Sequence, residues 1–141
     1  MIHRTPLPAE IRGRLANLAD VLEPFEEIAF AYLFGGAATG RLAPFSDVDI
    51  GIFVDRGEPS AVTSRVFAAV TRYLRTDEVD LVLLNTAPIA LAGRVLLSRQ
   101  VILDRQPFVR HRFESVTARQ FLDFRKFEHR LLARRFADGR P

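Results

Sequence analysis

The sequence predicts one α/β (α+β) domain, with a small mixed sheet of about four strands, helices packed mainly on one face, and a long C-terminal helix. Short apolar runs rich in β-forming residues alternate along the chain with segments of helical spacing. The 141 residues suit a single domain, and 48% apolar residues are enough to build its core. We expect residues 1–141 to form that domain, with its core at 26–104.

Each predicted element rests on its pattern of apolar residues. Helical spacing predicts helices at 8–25, 37–42, 60–75, 88–97 and 108–136. Apolar runs of β-forming residues predict strands at 28–34, 47–54, 79–84 and 100–103. Pro8 suits the first turn of the first helix, and Ser60 is the expected N-cap of the third. Residues 137–141 are expected to fray.

Two of the helices carry apolar faces that predict their packing. The helix at 60–75 is expected to turn five residues inward: Val62, Val66, Phe67, Val70 and Leu74. The last helix carries a longer stripe: Phe113, Val116, Phe121, Phe124, Phe127 and Leu131. Four phenylalanines of this stripe form a surface wider than a small monomer covers, which indicates a partner protein or self-association, as a homo- or hetero-oligomer.

Composition excludes several classes of protein. Without cysteine there is no disulfide framework and no thiolate zinc site. No apolar run is long enough to span a membrane, and the first residues lack a signal peptide, so a cytoplasmic location is expected. The net charge is +3, but its basic residues are dispersed until the C-terminal helix, so nucleic acid is not expected as the main ligand. His111 and His129 of that helix are expected at the surface.

Two carboxylates open the second predicted strand, and a third opens the next. Asp47 and Asp49 are one residue apart, so both side chains leave the same face with Cα atoms roughly 6.5–7 Å apart. Asp80 can share that face if its strand lies alongside. Clustered carboxylates repel one another, and Mg²⁺ prefers such oxygen ligands. The alternatives are a solvated strand edge for the pair and an ordinary acidic turn for Asp80 beside Asp77 and Glu78.

A glycine pair ends the first predicted strand and precedes a short predicted helix. Amide groups of Gly35 and Gly36 at such a junction can bind phosphate, and glycine lets a ligand approach the backbone closely. A tight strand-to-helix turn explains the pair equally well. Ten residues separate the pair from Asp47. One ligand can therefore rest phosphates on the glycines and reach the acids through a metal ion.

Gly-Gly, a spacer of ten residues and Asp-x-Asp together resemble the signature of the DNA polymerase β-type nucleotidyltransferase superfamily. The short chain and its SDVDIGIF segment look most like the minimal nucleotidyltransferase (MNT) branch, whose members often act as antitoxins to HEPN-domain RNases. The resemblance covers residues 28–84 by motif and, more loosely, the segment FESVTARQFLDFRKFEHRLL. It implies the nucleotidyltransferase fold.

The resemblance also implies a role for each matching residue. Gly35 and Gly36 would hold the triphosphate of ATP. Asp47 and Asp49 would ligate two Mg²⁺ ions, for which Mn²⁺ can substitute. Asp80 would ligate the catalytic metal and help to deprotonate the incoming hydroxyl. The implied reaction transfers AMP to a tyrosine hydroxyl of a HEPN-type toxin.

The phosphate-binding segment departs from the family pattern. Many members read Gly-Ser-Arg-Ala-Arg-Gly, whereas Ala37 and Thr39 replace both arginines here, and Arg41 is the candidate to replace them in part. Ser46 stands where many members carry serine and is expected near the nucleotide. Each lost charge-assisted contact should weaken nucleotide binding by about 1.5–3 kcal/mol.

The sequence therefore leaves three functions open. The first is a Mg²⁺-dependent nucleotidyltransferase antitoxin that modifies its toxin. The second is a catalytically weak or inactive antitoxin of the same fold that neutralises its toxin by binding, which the missing arginines favour. The third is nucleotidyl transfer to a small molecule, as in aminoglycoside-modifying relatives, which usually carry an additional substrate domain.

Overall fold

The computed structural model describes residues 6–137. In order, its elements are α1 (Ile11–Leu15), α2 (Leu18–Leu22), β1 (Ile28–Phe34), α3 (Gly35–Thr39), β2 (Val48–Val54), α4 (Pro59–Leu74), β3 (Val79–Leu83), α5 (Ile89–Ser98), β4 (Gln100–Asp104) and α6 (Pro107–Ala137). The predicted mixed α/β fold with a long C-terminal helix is confirmed. The fraying expected at 137–141 lies outside the described residues, except for Ala137, which ends α6. None of the described helices combines the length and apolarity needed to cross a membrane.

The strands form one sheet in the order β3-β2-β1-β4. The central strand β1 runs antiparallel to both of its neighbours, β2 and β4. The outer strand β3 runs parallel to β2, and α4 makes the crossover between them. All seven residues of β1 are buried, as its continuous apolar run predicts.

Helices cover both faces of the sheet, so the expectation of packing mainly on one face is only partly met. On the first face, α1, α2 and α4 cover the alternating apolar residues of β2: Val48, Ile50, Ile52 and Val54. On the second face, α5 and the start of α6 cover a cluster centred on aromatic residues of β1: Phe30, Tyr32 and Phe34. The sheet needs both layers because its central strand is apolar on both sides.

The helix predicted at 8–25 is interrupted. It divides into α1 and α2 at a turn in which the Asn17 N–H donates to the Arg14 carbonyl at 3.1 Å. Asparagine favours turns over helix interiors because its side chain competes with the backbone hydrogen bonds. Ile11, Leu18 and Leu22 are all buried, as expected for residues that share one face of a helix.

The start and the buried face of α4 differ from the prediction. Glu58, and not Ser60, is the N-cap, because its carboxylate accepts the Ser60 and Ala61 N–H groups at 3.2 and 2.8 Å. Pro59 occupies the first turn, where no N–H is needed. Phe67 is 38% exposed, so its predicted inward position is wrong. The other four predicted residues are buried: Val62, Val66, Val70 and Leu74.

The long helix α6 has a packed first half and an exposed second half. Its 31 residues extend about 46 Å, farther than the sheet beneath it. Phe113 packs on the rings of Phe30 and Phe53, with centroid distances of 5.6 and 5.8 Å. We call residues 122–135 the arm, in which four apolar side chains are about half exposed or more: Leu122, Phe127, Leu131 and Leu132. The predicted stripe is therefore continuous with the core only at its start.

A polar network fixes the packed half of α6 to the sheet and to α5. The Tyr32 hydroxyl donates to Glu114 at 2.6 Å, and Arg99 donates to the same oxygen at 2.9 Å. Arg110 joins Glu114 to Asp104 of β4. Burial opposes ionisation of Glu114, but these partners outweigh it and lower its pKa. Burial and the same carboxylate raise the pKa of Tyr32.

Candidate active site

Three carboxylates lie near one end of the sheet. Asp49 on β2 is in register with Asp80 on the parallel strand β3, and neighbouring strands lie about 4.8 Å apart. Both side chains point to the second face, since their neighbours Val48 and Val79 pack against the first. Asp47 directly precedes β2. The strand that carries Asp80 therefore lies beside the strand that carries Asp49, as predicted.

The pKa of Asp49 is raised by its surroundings. Burial raises its pKa from the ordinary value of 3.8 to about 6, and the charges of Asp80 and Asp47 add to the shift. Asp49 is partly buried, whereas Asp80 is exposed. A cation placed among them would relieve this repulsion.

Gly35 forms one wall of the acid cluster. Its φ of +66° lies in the left-handed region, which glycine adopts without steric cost. A Cβ at this position would lie 2.4 Å from Oδ2 of Asp49, so no other residue type leaves room for that carboxylate. The Gly35 N–H donates to the hydroxyl of Ser98 at 2.8 Å. This amide is therefore already occupied by the protein.

The glycine pair lies inside α3 and not in a turn before it. The helix predicted at 37–42 begins at Gly35 and ends at Thr39, with Gly40 as a left-handed cap at φ +74°. A helix of five residues provides little dipole field for an anion. Gly36 keeps its N–H without an acceptor in the described part of the chain. Of the two glycines, Gly36 is thus the one with an available amide.

Arg41 and Ser46 lie in the loop between α3 and β2. The Arg41 N–H donates to the Gly36 carbonyl at 2.9 Å, and its side chain is exposed. The Ser46 hydroxyl accepts the Ala43 N–H at 3.0 Å, and its own N–H returns to the Ala43 carbonyl at 3.0 Å. Ser46 therefore shapes the loop that leads into Asp47. The chain contains no basic side chain within α3 itself.

The family of the chain follows from its match to known proteins. The family model described as polymerase beta, nucleotidyltransferase matches residues 16–108, which is more than half of the chain. The chain belongs to this nucleotidyltransferase family. The match begins before β1 and extends past β4, so it includes the whole sheet and all three acids. No curated protein matches the chain significantly.

Solved structures with the same fold come from toxin–antitoxin complexes. A chain of the MntA–HepT complex aligns with a TM-score of 0.64 at 17% identity, over 86% of this chain and 96% of that one. A chain of the complex between tri-AMPylated Shewanella oneidensis HEPN toxin and MNT antitoxin gives 0.66 at 16%, over 87% and 96%. A toxin–antitoxin structure with AMP-PNP gives 0.59 at 21%, over 89% and 93%. At these identities the likeness shows a shared nucleotidyltransferase fold.

The acid cluster of this nucleotidyltransferase suits a hard divalent cation by its chemistry. Its donors are carboxylate oxygens, the ligands that Mg²⁺ and Mn²⁺ take. Within residues 6–137, no group of three or more His, Asp or Glu side chains has converged to coordinating distances. The charges of Asp80 and Asp47 both raise the pKa of Asp49, so both carboxylates lie within electrostatic reach of it.

One residue of this site escaped prediction from the sequence. Ser98 ends α5, and 63 positions separate it from Gly35, the residue it contacts. A serine at the end of a helix has no distinctive sequence pattern, so only the packing of α5 against α3 reveals it. His111 and His129, as predicted, are exposed on α6.

Proposed function

We propose that this nucleotidyltransferase is the antitoxin of a toxin–antitoxin pair and transfers AMP from ATP to a tyrosine hydroxyl of a HEPN-type toxin. The observation that carries the proposal is the position of Asp49, which lies against Gly35 and in register with Asp80, with Asp47 just before β2, in a chain of this family. A chain of the same fold occurs in a complex with a tri-AMPylated HEPN toxin, and another occurs in a toxin–antitoxin structure with AMP-PNP. These relatives support both the partner class and the adenine nucleotide.

The three acids have separable tasks in this reaction. Asp47, Asp49 and Asp80 would hold two Mg²⁺ ions, whose chemistry is to stabilise the attacking and leaving oxygens. The tyrosine oxygen forms a bond to the α-phosphorus of ATP, and the bond from that phosphorus to pyrophosphate breaks. Asp80 accepts the tyrosine proton, because it is the exposed carboxylate of the three.

Donors for the phosphates come mainly from the backbone. The Gly35 amide is held by Ser98, so the candidate donor is the Gly36 amide, for which residues 6–137 provide no acceptor. Arg41 is the nearest basic residue along the chain, and its exposed guanidinium can turn toward the triphosphate. Alanine and threonine at the two positions where many relatives carry arginine predict weak nucleotide binding, with turnover that depends on the bound partner for positioning.

The arm of α6 is the surface on which we expect the toxin to bind. Its apolar side chains Leu122, Phe127 and Leu131 are 48–60% exposed, and basic residues outnumber acidic ones there by five to two. The arm continues into a groove of about 500 Å³ between α5 and α6, where Leu97 is 72% exposed. Apolar anchors inside a basic rim fit a partner whose contact surface is apolar and acidic.

A labelling experiment tests the enzyme. The chain is incubated with Mg²⁺, α-labelled ATP and a HEPN-type protein, chosen as the product of a neighbouring gene, and the label on that protein is followed. The control is the Asp47→Asn, Asp49→Asn double variant, which keeps the surrounding packing. We expect label with the wild type only. Equal labelling by the double variant, or none by the wild type, refutes AMP transfer.

A second candidate function is neutralisation by binding alone. The occupied Gly35 amide and the absence of basic side chains on α3 favour it. The Asp47→Asn, Asp49→Asn variant distinguishes AMP transfer from neutralisation by binding, because its arm is unchanged. If the variant suppresses the toxin's RNase activity as well as the wild type does without ATP, contact is sufficient. If suppression needs both ATP and intact acids, the transfer reaction is the antitoxic step.

Variants of the arm test the binding surface directly. Phe127→Ala with Leu131→Ala removes two exposed anchors, and His129→Ala is the matched control on the same turns of helix. We expect the double variant to weaken toxin binding at least about tenfold in calorimetry, since buried anchors commonly contribute more than 1 kcal/mol. Its melting temperature should match the wild type because neither side chain packs on the core. Unchanged affinity would place the interface elsewhere.

A further inference from the structure

Gly35 is held from two sides by residues remote in sequence. Its amide donates to the Ser98 hydroxyl at 2.8 Å, and the carboxylate of Asp49 fills the space where a side chain would begin. Standard backbone geometry then puts the Ser98 hydroxyl within about 8 Å of that carboxylate. Ser98 therefore lies beside the acid cluster without being an acid itself.

The packing around Ser98 fixes its hydroxyl in place. Ser98 is the last residue of α5, and it is partly buried. The next residue, Arg99, donates to the Leu96 carbonyl at 2.7 Å and to Glu114 of α6 at 2.9 Å. The end of α5 is thus bound to α6 on one side and to Gly35 on the other.

We propose that Ser98 is a positioning residue of the nucleotidyl-transfer site, which holds Gly35 in its left-handed conformation and thereby keeps the space that Asp49 occupies. The inference rests on the proposed function for its effect on AMP transfer. Its effect on the shape of the acid cluster does not depend on which reaction the cluster performs.

The physical reason is that glycine does not hold this conformation by itself. Gly35 can adopt other backbone angles at little cost, so an external contact must select the observed one. Without the Ser98 hydroxyl, the Gly35 amide would be left partly buried and unpaired. The peptide would turn to find another acceptor, and Asp49 would lose the wall against which it rests.

The first two measurements use the protein without nucleotide or partner. Four proteins are compared: the wild type, Ser98→Ala, Ser98→Thr and, as a control, Ser64→Ala at an exposed position of α4. Amide hydrogen exchange at Gly35 is followed by NMR, and Mn²⁺ binding by calorimetry. Ser98→Ala should speed exchange at Gly35 and weaken Mn²⁺ binding by about tenfold each, as expected for loss of one hydrogen bond. Ser98→Thr keeps the hydroxyl and should restore both.

A third measurement follows AMP transfer to the toxin. Ser98→Ala should lower kcat about tenfold and raise the Mn²⁺ concentration needed for half-maximal rate, while Ser98→Thr and Ser64→Ala stay within twofold of the wild type. If Ser98→Ala is poorly folded by near-UV circular dichroism, Ser98→Cys replaces it, with a weaker acceptor of similar size.

Different results would refute the positioning role of Ser98 and the proposed AMP transfer. Wild-type exchange at Gly35 and wild-type Mn²⁺ affinity in Ser98→Ala overturn the positioning role, and so does failure of Ser98→Thr to restore them. A wild type that transfers no AMP, combined with the expected loss of Mn²⁺ affinity in Ser98→Ala, refutes the proposed function and supports the role of Ser98 in the cation site.

Discussion

Replacing Asp49 with asparagine should stabilise this protein in the absence of divalent cations. The pKa of Asp49 rises from 3.8 to about 6 in the folded state, mainly through burial and then through repulsion by Asp80 and Asp47. A raised carboxylate pKa means that the folded state binds more protons than the unfolded state between these two values. Stability therefore falls as pH rises from about 4 to about 6, and the penalty persists at higher pH.

The size of the effect follows from the shift and from the exposure of the carboxylate. About two pKa units correspond to nearly 3 kcal/mol at 1.36 kcal/mol per unit. Asp49 is only partly buried, so solvent screening reduces this by about half, to roughly 1–1.5 kcal/mol. For a domain of this size that gain raises the melting temperature by about 3–6 °C.

Thermal and urea unfolding of the wild type and Asp49→Asn in EDTA measure this difference. At pH 7.5 the variant should be more stable by the stated amount, and at pH 4 the two should coincide. Asp123→Asn, at an exposed position of α6, is the control for loss of one negative charge. The reasoning is refuted if Asp49→Asn is no more stable than the wild type at pH 7.5, or if Asp123→Asn gains as much.

Three further substitutions have expected outcomes. Gly35→Ala should cost about 1–2 kcal/mol through its left-handed φ, displace Asp49 and abolish AMP transfer while the fold persists, as circular dichroism and the labelling assay will show. Gly93→Ala should destabilise the fold by about 1–3 kcal/mol in urea, because the new Cβ would lie 2.1 Å from the ring of Phe121. Glu114→Gln removes the charge shared by two arginines and a tyrosine, and should lower stability by about 1–3 kcal/mol in the same assay.

Gly13→Ala is the control for both glycine substitutions. Nothing lies within 4 Å of a Cβ at Gly13, which is inside α1. Alanine should be neutral or stabilising there by up to about 1 kcal/mol, because it is the better helix former. A loss as large as that of Gly93→Ala would mean that the clash with Phe121 is not the cause.

Strands were the more predictable part of the fold. The strict alternation around Ile50 and the continuous apolar run of β1 specify faces, so the first strand has its predicted bounds and the second begins one residue later than predicted. Helices were less predictable than strands. The outward turn of Phe67 depends on which side of α4 meets the sheet, and helical spacing alone cannot specify that within one residue.

One part of the candidate site could be predicted from the sequence, and another part could not. The shared register and face of Asp49 and Asp80 could be predicted, because they depend only on strand pairing and on alternation along each strand. The tie between Gly35 and Ser98 could not, since it requires the end of α5 to meet the start of α3. The local sequence around either residue does not predict such a contact between two helices.

The spacing between the glycine pair and the acids can be understood from the pairing of β1 and β2. Phe34 is opposite Asp49 in the antiparallel register, and the carboxylate of Asp49 fills the Cβ position of the next residue, Gly35. Gly35 and Asp49 thus contact each other directly at the end of the β1–β2 pair. The segment between them closes a loop whose length can change without altering that contact. A relative with a longer or shorter spacer should therefore keep the glycine whenever it keeps the aspartate.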